Sequence, residues 1–142
     1  MEELLHTIAV QINSERPDFR LFWIFLWGED HRFDSDGDSY NPASRDWTEL
    51  YMSSREIGNQ TFEILKIKDE PLVFEVSSAN HCLLNRVTFF LKRETNGITE
   101  ETDETLVQNM GEDFDLEEAL KRADESVWRT SSLDNPYPNI TS

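Results

Sequence analysis

The chain has 142 residues, 37% hydrophobic and 30% charged, with nine Phe and four Trp. That length fits one domain able to bury about two-thirds of its unfolded surface, and so much apolar and aromatic material excludes a disordered chain. Thirteen Lys and Arg against 29 Asp and Glu leave a net charge of −16. This disfavours nucleic acid and anionic membranes, which are held through basic contacts, and favours a basic protein partner whose encounter the same field accelerates.

The single Cys82 cannot form an internal disulfide. The opening "MEELLHTIAV" is acidic with a short apolar run, which is not the pattern of a secretory signal, and no stretch of about 18 apolar residues offers a membrane span. A reducing cytoplasm is the simplest compartment for such a chain.

In chain order, residues 2 to 13 place Leu4, Leu5, Ile8 and Ile12 on one helical face, which predicts a helix, although Ile8, Val10 and Ile12 also alternate as a strand would. After the turn-forming "NSERPD", the run Phe19 to Trp27, "FRLFWIFLW", is apolar in both alternating sets except for Arg20. Such a run predicts a central strand covered on both faces. Gly28 to about Asp46 reads as a loop, and "WTELYMSS", "TFEILKI" and "PLVFEV" read as three further strands, the last two joined by the turn "KDEP". Ser77-Ser78 offers an N-cap for a helix whose stripe is Leu83, Leu84, Val87, Phe90 and Leu91, ending near Gly97. Cys82 and Phe89 lie off that stripe, so this helix is either sandwiched between layers or shows Phe89 to a partner. From Glu94 to Leu120 there are ten Asp or Glu and no Lys or Arg. A last helix opens with Asp115 as N-cap and Glu118 three residues on, and pairs Glu117 with Lys121 and Glu118 with Arg122 on its outer face.

The residues that could carry chemistry begin with "RFDSDGDSYNP". Asp34, Asp36 and Asp38 occupy alternate positions, as the first ligands of a calcium loop do. Gly37 then falls at the fourth loop position where the sixth is required, and Arg45 falls at the twelfth where a bidentate carboxylate belongs. In an extended chain these carboxylates sit about 7 Å apart and repel by only about 0.6 kcal/mol in water, so no ion is needed to hold them. A calcium-binding module built on this loop remains the alternative to an acidic contact surface. Asp30 and His31, beside Asp34, are the candidate acid-base pair of an otherwise unrecognised enzyme. There is no HExxH, no Cys pair for zinc, no GxSxG, no P-loop and no GxGxxG. No cofactor is implied. The acidic loop around residues 29 to 38 and the segment 94 to 118, rimmed by Tyr40, Trp47 and Trp128, have the composition of an anchor-and-rim protein interface.

The order strand, strand, strand, helix over "WTELYMSS", "TFEILKI" and "PLVFEVSSANHCLLNRVTFFLKRETNG" resembles small acidic bacterial immunity and inhibitor proteins across residues 47 to 97. The resemblance implies a cytoplasmic, non-catalytic protein that neutralises a basic toxin, often a nuclease, by covering its active site. It carries over no individual functional residue.

The expectation is a single α+β domain over residues 1 to 130, with a mostly antiparallel sheet of about four strands packed by two or three helices, and an extended tail over 131 to 142. The expected function is a non-catalytic acidic protein that binds a basic partner through Asp34, Asp36, Asp38, Glu112 and Asp113.

Overall fold

In a computed structural model of the chain, residues 5 to 138 are described. Leu4 of the predicted first helix and the last four residues of the predicted tail lie outside them. One antiparallel sheet has the order β1-β5-β4-β3-β2, with β1 at His6–Gln11, β2 at Phe33–Gly37, β3 at Glu49–Ser54, β4 at Thr61–Asp69 and β5 at Leu72–Ser78. The helices described are α1 (Arg20–Leu26), α2 (His81–Glu94), α3 (Asp103–Gln108) and α4 (Leu116–Asp124), followed by a 3-10 turn at Val127–Thr130.

The α+β class with an antiparallel sheet is as expected, but five strands and four helices stand where about four and two or three were foreseen. Two elements are exchanged. The first is a strand, because Val10 and Ile12 enter the core while Leu5, Thr7 and Ala9 face outward. The alternation of Ile8, Val10 and Ile12 therefore outweighs the helical stripe. The run from Phe19 is a helix, not a central strand. Asp18 accepts the Arg20 N–H at 3.0 Å through its side chain, and Arg122 of α4 closes the other end by donating to the Ile24 and Phe25 carbonyls at 3.0 and 2.9 Å. Being apolar on every side suits α1 because it is wedged between the sheet, α2, α4 and the 3-10 turn. Phe22 lies against Phe62, Trp47 and Phe90, and Phe25 stacks on Phe90 at 4.4 Å.

The fifth strand, β2, lies inside the predicted loop. Phe33 anchors it by packing on Trp23 and Trp27 on the helical side. Gly37 sits so close to β3 that a Cβ there would stand 2.3 Å from the Glu49 carbonyl oxygen. The glycine that looked like part of a calcium loop is therefore required by strand pairing.

The helix α2 falls where the stripe placed it, with its N-cap moved to Asn80, whose Oδ1 accepts the Leu83 N–H at 3.0 Å. Ser78 is used otherwise, donating to the Thr61 carbonyl and accepting the Asn80 N–H. Phe89 is half-buried against the core. At the far end Asn96 takes the left-handed conformation, and Gly97 donates to the Lys92 carbonyl at 2.8 Å. The cap at Asp115 forms as predicted, accepting the Glu118 N–H at 3.1 Å.

All helices pack on one side of the sheet. Val10, Leu50, Met52, Phe62, Ile64, Phe74 and Val76 supply that side's strand residues to a single core with α1 and α2. Ser131 is tied to this body through Asp18 at 2.6 Å, and Tyr137 lies over the Arg20 guanidinium. No helix among the described residues is long and apolar enough to cross a membrane.

Candidate functional site

The other side of the sheet is covered by nothing among the described residues. Strand alternation puts every second residue there, and the register aligns them into rows. Ala9, Glu75, Leu65 and Glu49 lie side by side across four strands. Thr7, Ser77, Glu63, Tyr51 and Asp36 form the adjacent row across all five. Asp34, opposite Ser53, lies on the same face at the β2 edge, and Gln11, Val73 and Lys68 form a third row beyond Glu75.

Carboxylates in this face alternate with uncharged residues along each row. Glu75 and Glu49 are separated by Leu65, hence by two strand spacings of about 4.8 Å, where their repulsion in water is about 0.4 kcal/mol. The sheet therefore tolerates the charge while these two rows project a negative field, bounded by Lys68 at one end and by the Arg55–Asp34 pair at the other. Among the described residues, Glu49, Glu63, Glu75 and Asp36 have no ion-pair partner. Tyr51 and Leu65, 36% and 38% exposed, stand among them as the apolar contacts.

Several acidic residues on the helical side are held by cations. Asp18, wholly buried, pairs with Arg20 at 2.6 Å. Glu94 and Asp124 share Arg93 and Arg129, and Asp103 holds Lys92 at 2.7 Å. The acidic run from Glu94 to Leu120 thus wraps α2 and is partly compensated by cations.

The sequence-selected residues divide accordingly. Asp34 and Asp36 lie together on the open face, although Asp34 is engaged by Arg55 at 2.8 Å. Asp38 is turned back onto β3, accepting the Thr48 hydroxyl and the Thr48 and Glu49 N–H groups at 2.5, 2.8 and 3.0 Å. Loss of solvent is the largest single influence on its carboxyl and pushes the pKa up, yet these hydrogen bonds together outweigh it and hold the pKa below the ordinary value. Asp38 is therefore a clamp on the start of β3. Glu112 and Asp113 do not join the others. They lie between α3 and α4, where Asp113 approaches Arg86 of α2 at 3.6 Å. No group of three or more His, Cys, Asp or Glu converges as a metal site among the described residues. Of the aromatic rim, Tyr40 is exposed, whereas Trp47 and Trp128 are buried in the core.

His31 meets Ser54 and Glu56 instead of pairing with Asp30. Its Nε2 is 2.7 Å from Ser54 Oγ, its Nδ1 is 3.5 Å from Glu56 Oε2, and its ring stacks on Trp27 at 5.0 Å. The order Ser, His, Glu resembles a nucleophile with its base and orienting acid. Here, however, Ser54 Oγ also accepts the Glu56 and Ile57 N–H groups, so its proton points to His31 and its lone pairs are occupied. The trio ties the start of β2 to the end of β3.

Glu49, Tyr51, Glu63, Leu65 and Glu75 do not stand out in the sequence because each sits in a strand whose pattern is dominated by its buried set. The signal was the opposite set, with Glu at an outward position in three consecutive strands. No protein-family model matches the chain, and no curated protein or solved structure shows significant similarity to it.

Proposed function

We propose that the chain is a non-catalytic binding protein that uses the open sheet face to capture a basic protein, acting as an inhibitor of the immunity-protein type against a cytoplasmic basic toxin such as a nuclease. The observation that carries this reading is the make-up of the open face. Glu49, Glu63, Glu75 and Asp36 surround Tyr51 and Leu65 on a flat sheet surface with no ion-pair partner among the described residues, so that aligned carboxylates frame an aromatic and an aliphatic contact. Acidic groups of this kind steer the encounter, and a central aromatic anchor sets the lifetime of the complex. A nuclease must present cations to phosphate, so a face of spaced carboxylates competes for the same surface. Nucleic acid itself would be repelled.

The test is a photo-crosslinking amino acid placed at Tyr51 and, as a control, at Lys121 on the helical side, with the captured chain identified by mass. Recovery of a basic protein at residue 51 alone, and a stable complex when the two are mixed in pure form, is the expected result. Equal capture at both positions, or capture of acidic chains only, overturns the reading.

A further inference from the structure

We propose that a depression at one end of the open face is a socket for a single long cationic side chain of the partner, arginine above all. This rests on the open-face reading and names the group that enters it. The depression has a volume of about 360 Å³ and is lined in part by Leu5, Asn59, Thr61, Glu63, Ser77 and Ala79. That is the lower end of the range of about 300 to 1,000 Å³ for small-ligand sites, a size that suits one side chain.

The lining offers acceptor oxygens, one of them a carboxylate, that no described residue engages. Glu63 and Ser77 are direct partners across the β4–β5 ladder, with Cβ atoms about 5 Å apart. The Glu63 carboxylate, the Ser77 hydroxyl and the Asn59 side-chain amide make no hydrogen bond to a described residue, whereas Thr61 Oγ1 is taken by Ser53 at 2.7 Å and Ser78 Oγ by Thr61 and Asn80. A guanidinium brings five donors in a rigid fork and no acceptor, which matches a carboxylate, a hydroxyl and an amide oxygen around one mouth. Leu5, 61% exposed, gives the methylene stem an apolar wall. A hard metal ion would need six or more oxygens and finds one carboxylate here. A second copy of the chain is disfavoured because each copy carries a charge of −16.

The probe is N-acetyl-arginine methylamide, titrated into isotope-labelled protein and followed by amide chemical shifts. The expected result is weak saturable binding with shifts concentrated at Thr61, Glu63 and Ser77 to Ala79, little response to the isosteric uncharged norleucine derivative, and at least about tenfold weaker binding in Glu63→Gln, the loss of one charge-assisted hydrogen bond. Ser77→Leu, which fills the depression while leaving the carboxylate, abolishes the same shifts. Shifts spread evenly over every acidic residue, or unchanged binding in both variants, overturns the socket. If the partner captured at Tyr51 is lost on charge reversal of Glu49 while arginine moves none of these amides, the socket fails and the face reading stands. If arginine binds as expected and charge reversal leaves capture intact, the face reading fails.

Discussion

Asp36 and Tyr51 stand directly opposite each other across the β2–β3 ladder, on the side of the sheet away from the helical core, and Glu63 is the next residue in the same row. The phenol is therefore flanked by carboxylates on both neighbouring strands. An aromatic ring in that setting offers a desolvated contact to the stem of an incoming lysine or arginine. Tyr51→Ala is expected to weaken binding of the captured partner by about 2 kcal/mol or more, roughly 30-fold, as a central hot spot does. Because the ring is 36% exposed and lies on an inner strand, unfolding stability should fall by no more than about 1 kcal/mol, the span of strand propensity. Calorimetric binding and urea unfolding on the same variant separate the two, and a large stability loss would assign Tyr51 to the fold instead.

Asp38 gives an acid-sensitive contribution to stability. Its folded pKa lies below the unfolded value of about 4, so its contribution is complete above that value and disappears as pH falls through the folded pKa. Asp38→Asn should be less stable than wild type near neutral pH, with the gap closing in strong acid. Urea midpoints across that range measure it, and a gap independent of pH contradicts the clamp.

Asp18 should be among the costliest residues to truncate. It pairs with Arg20, accepts the first N–H of α1 and holds Ser131, all without solvent. Asp18→Ala leaves the Arg20 charge buried between Trp128 and Tyr137, a change that costs about 3 to 5 kcal/mol in comparable sites. Adding Arg20→Met to Asp18→Asn should recover part of the loss, since the stranded charge is then gone. Denaturant unfolding of the three variants tests this, and equal stability of the single and double changes would contradict it.

Arg122 tests a point on which pattern and structure diverge. Helical spacing pairs it with Glu118, but its guanidinium instead caps the last carbonyls of α1. Arg122→Ala should destabilise by about 1 to 3 kcal/mol through the unsatisfied carbonyls, while Glu118→Ala, whose side chain has no partner among the described residues, should stay within about 0.5 kcal/mol. Thermal or urea unfolding compares them.

What was legible in the sequence depends on whether a segment has two distinct faces. The strands β3, β4 and β5 and the helices α2 and α4 alternate or repeat cleanly, and each lies where its pattern put it. The segment Arg20–Leu26 has no polar face, so its period carries no information, and only Asp18 ahead of the apolar run signalled a helix start. Thr7 and Ala9 hide the strand β1 because small polar and apolar residues outline both periods. In β2 only Phe33 is half-buried while Asp34, Ser35 and Asp36 are solvated, and pairing to β3 makes the strand where the local sequence reads as loop. The acidic face itself is a property of register. Glu49, Glu63 and Glu75 are 14 and 12 positions apart in sequence and become neighbours only when β3, β4 and β5 pair.

The most direct measurement is the affinity of the partner captured at Tyr51 for two variants with the same change in net charge, Glu49→Lys with Glu63→Lys on the open face, and Glu117→Lys with Glu118→Lys on α4. The face variant should lose about 100-fold or more and the α4 variant no more than a few-fold, since a contact is lost in the first and only long-range field in the second. Equal losses in the two variants would mean that net charge alone attracts the partner, and would contradict a binding site on the open sheet.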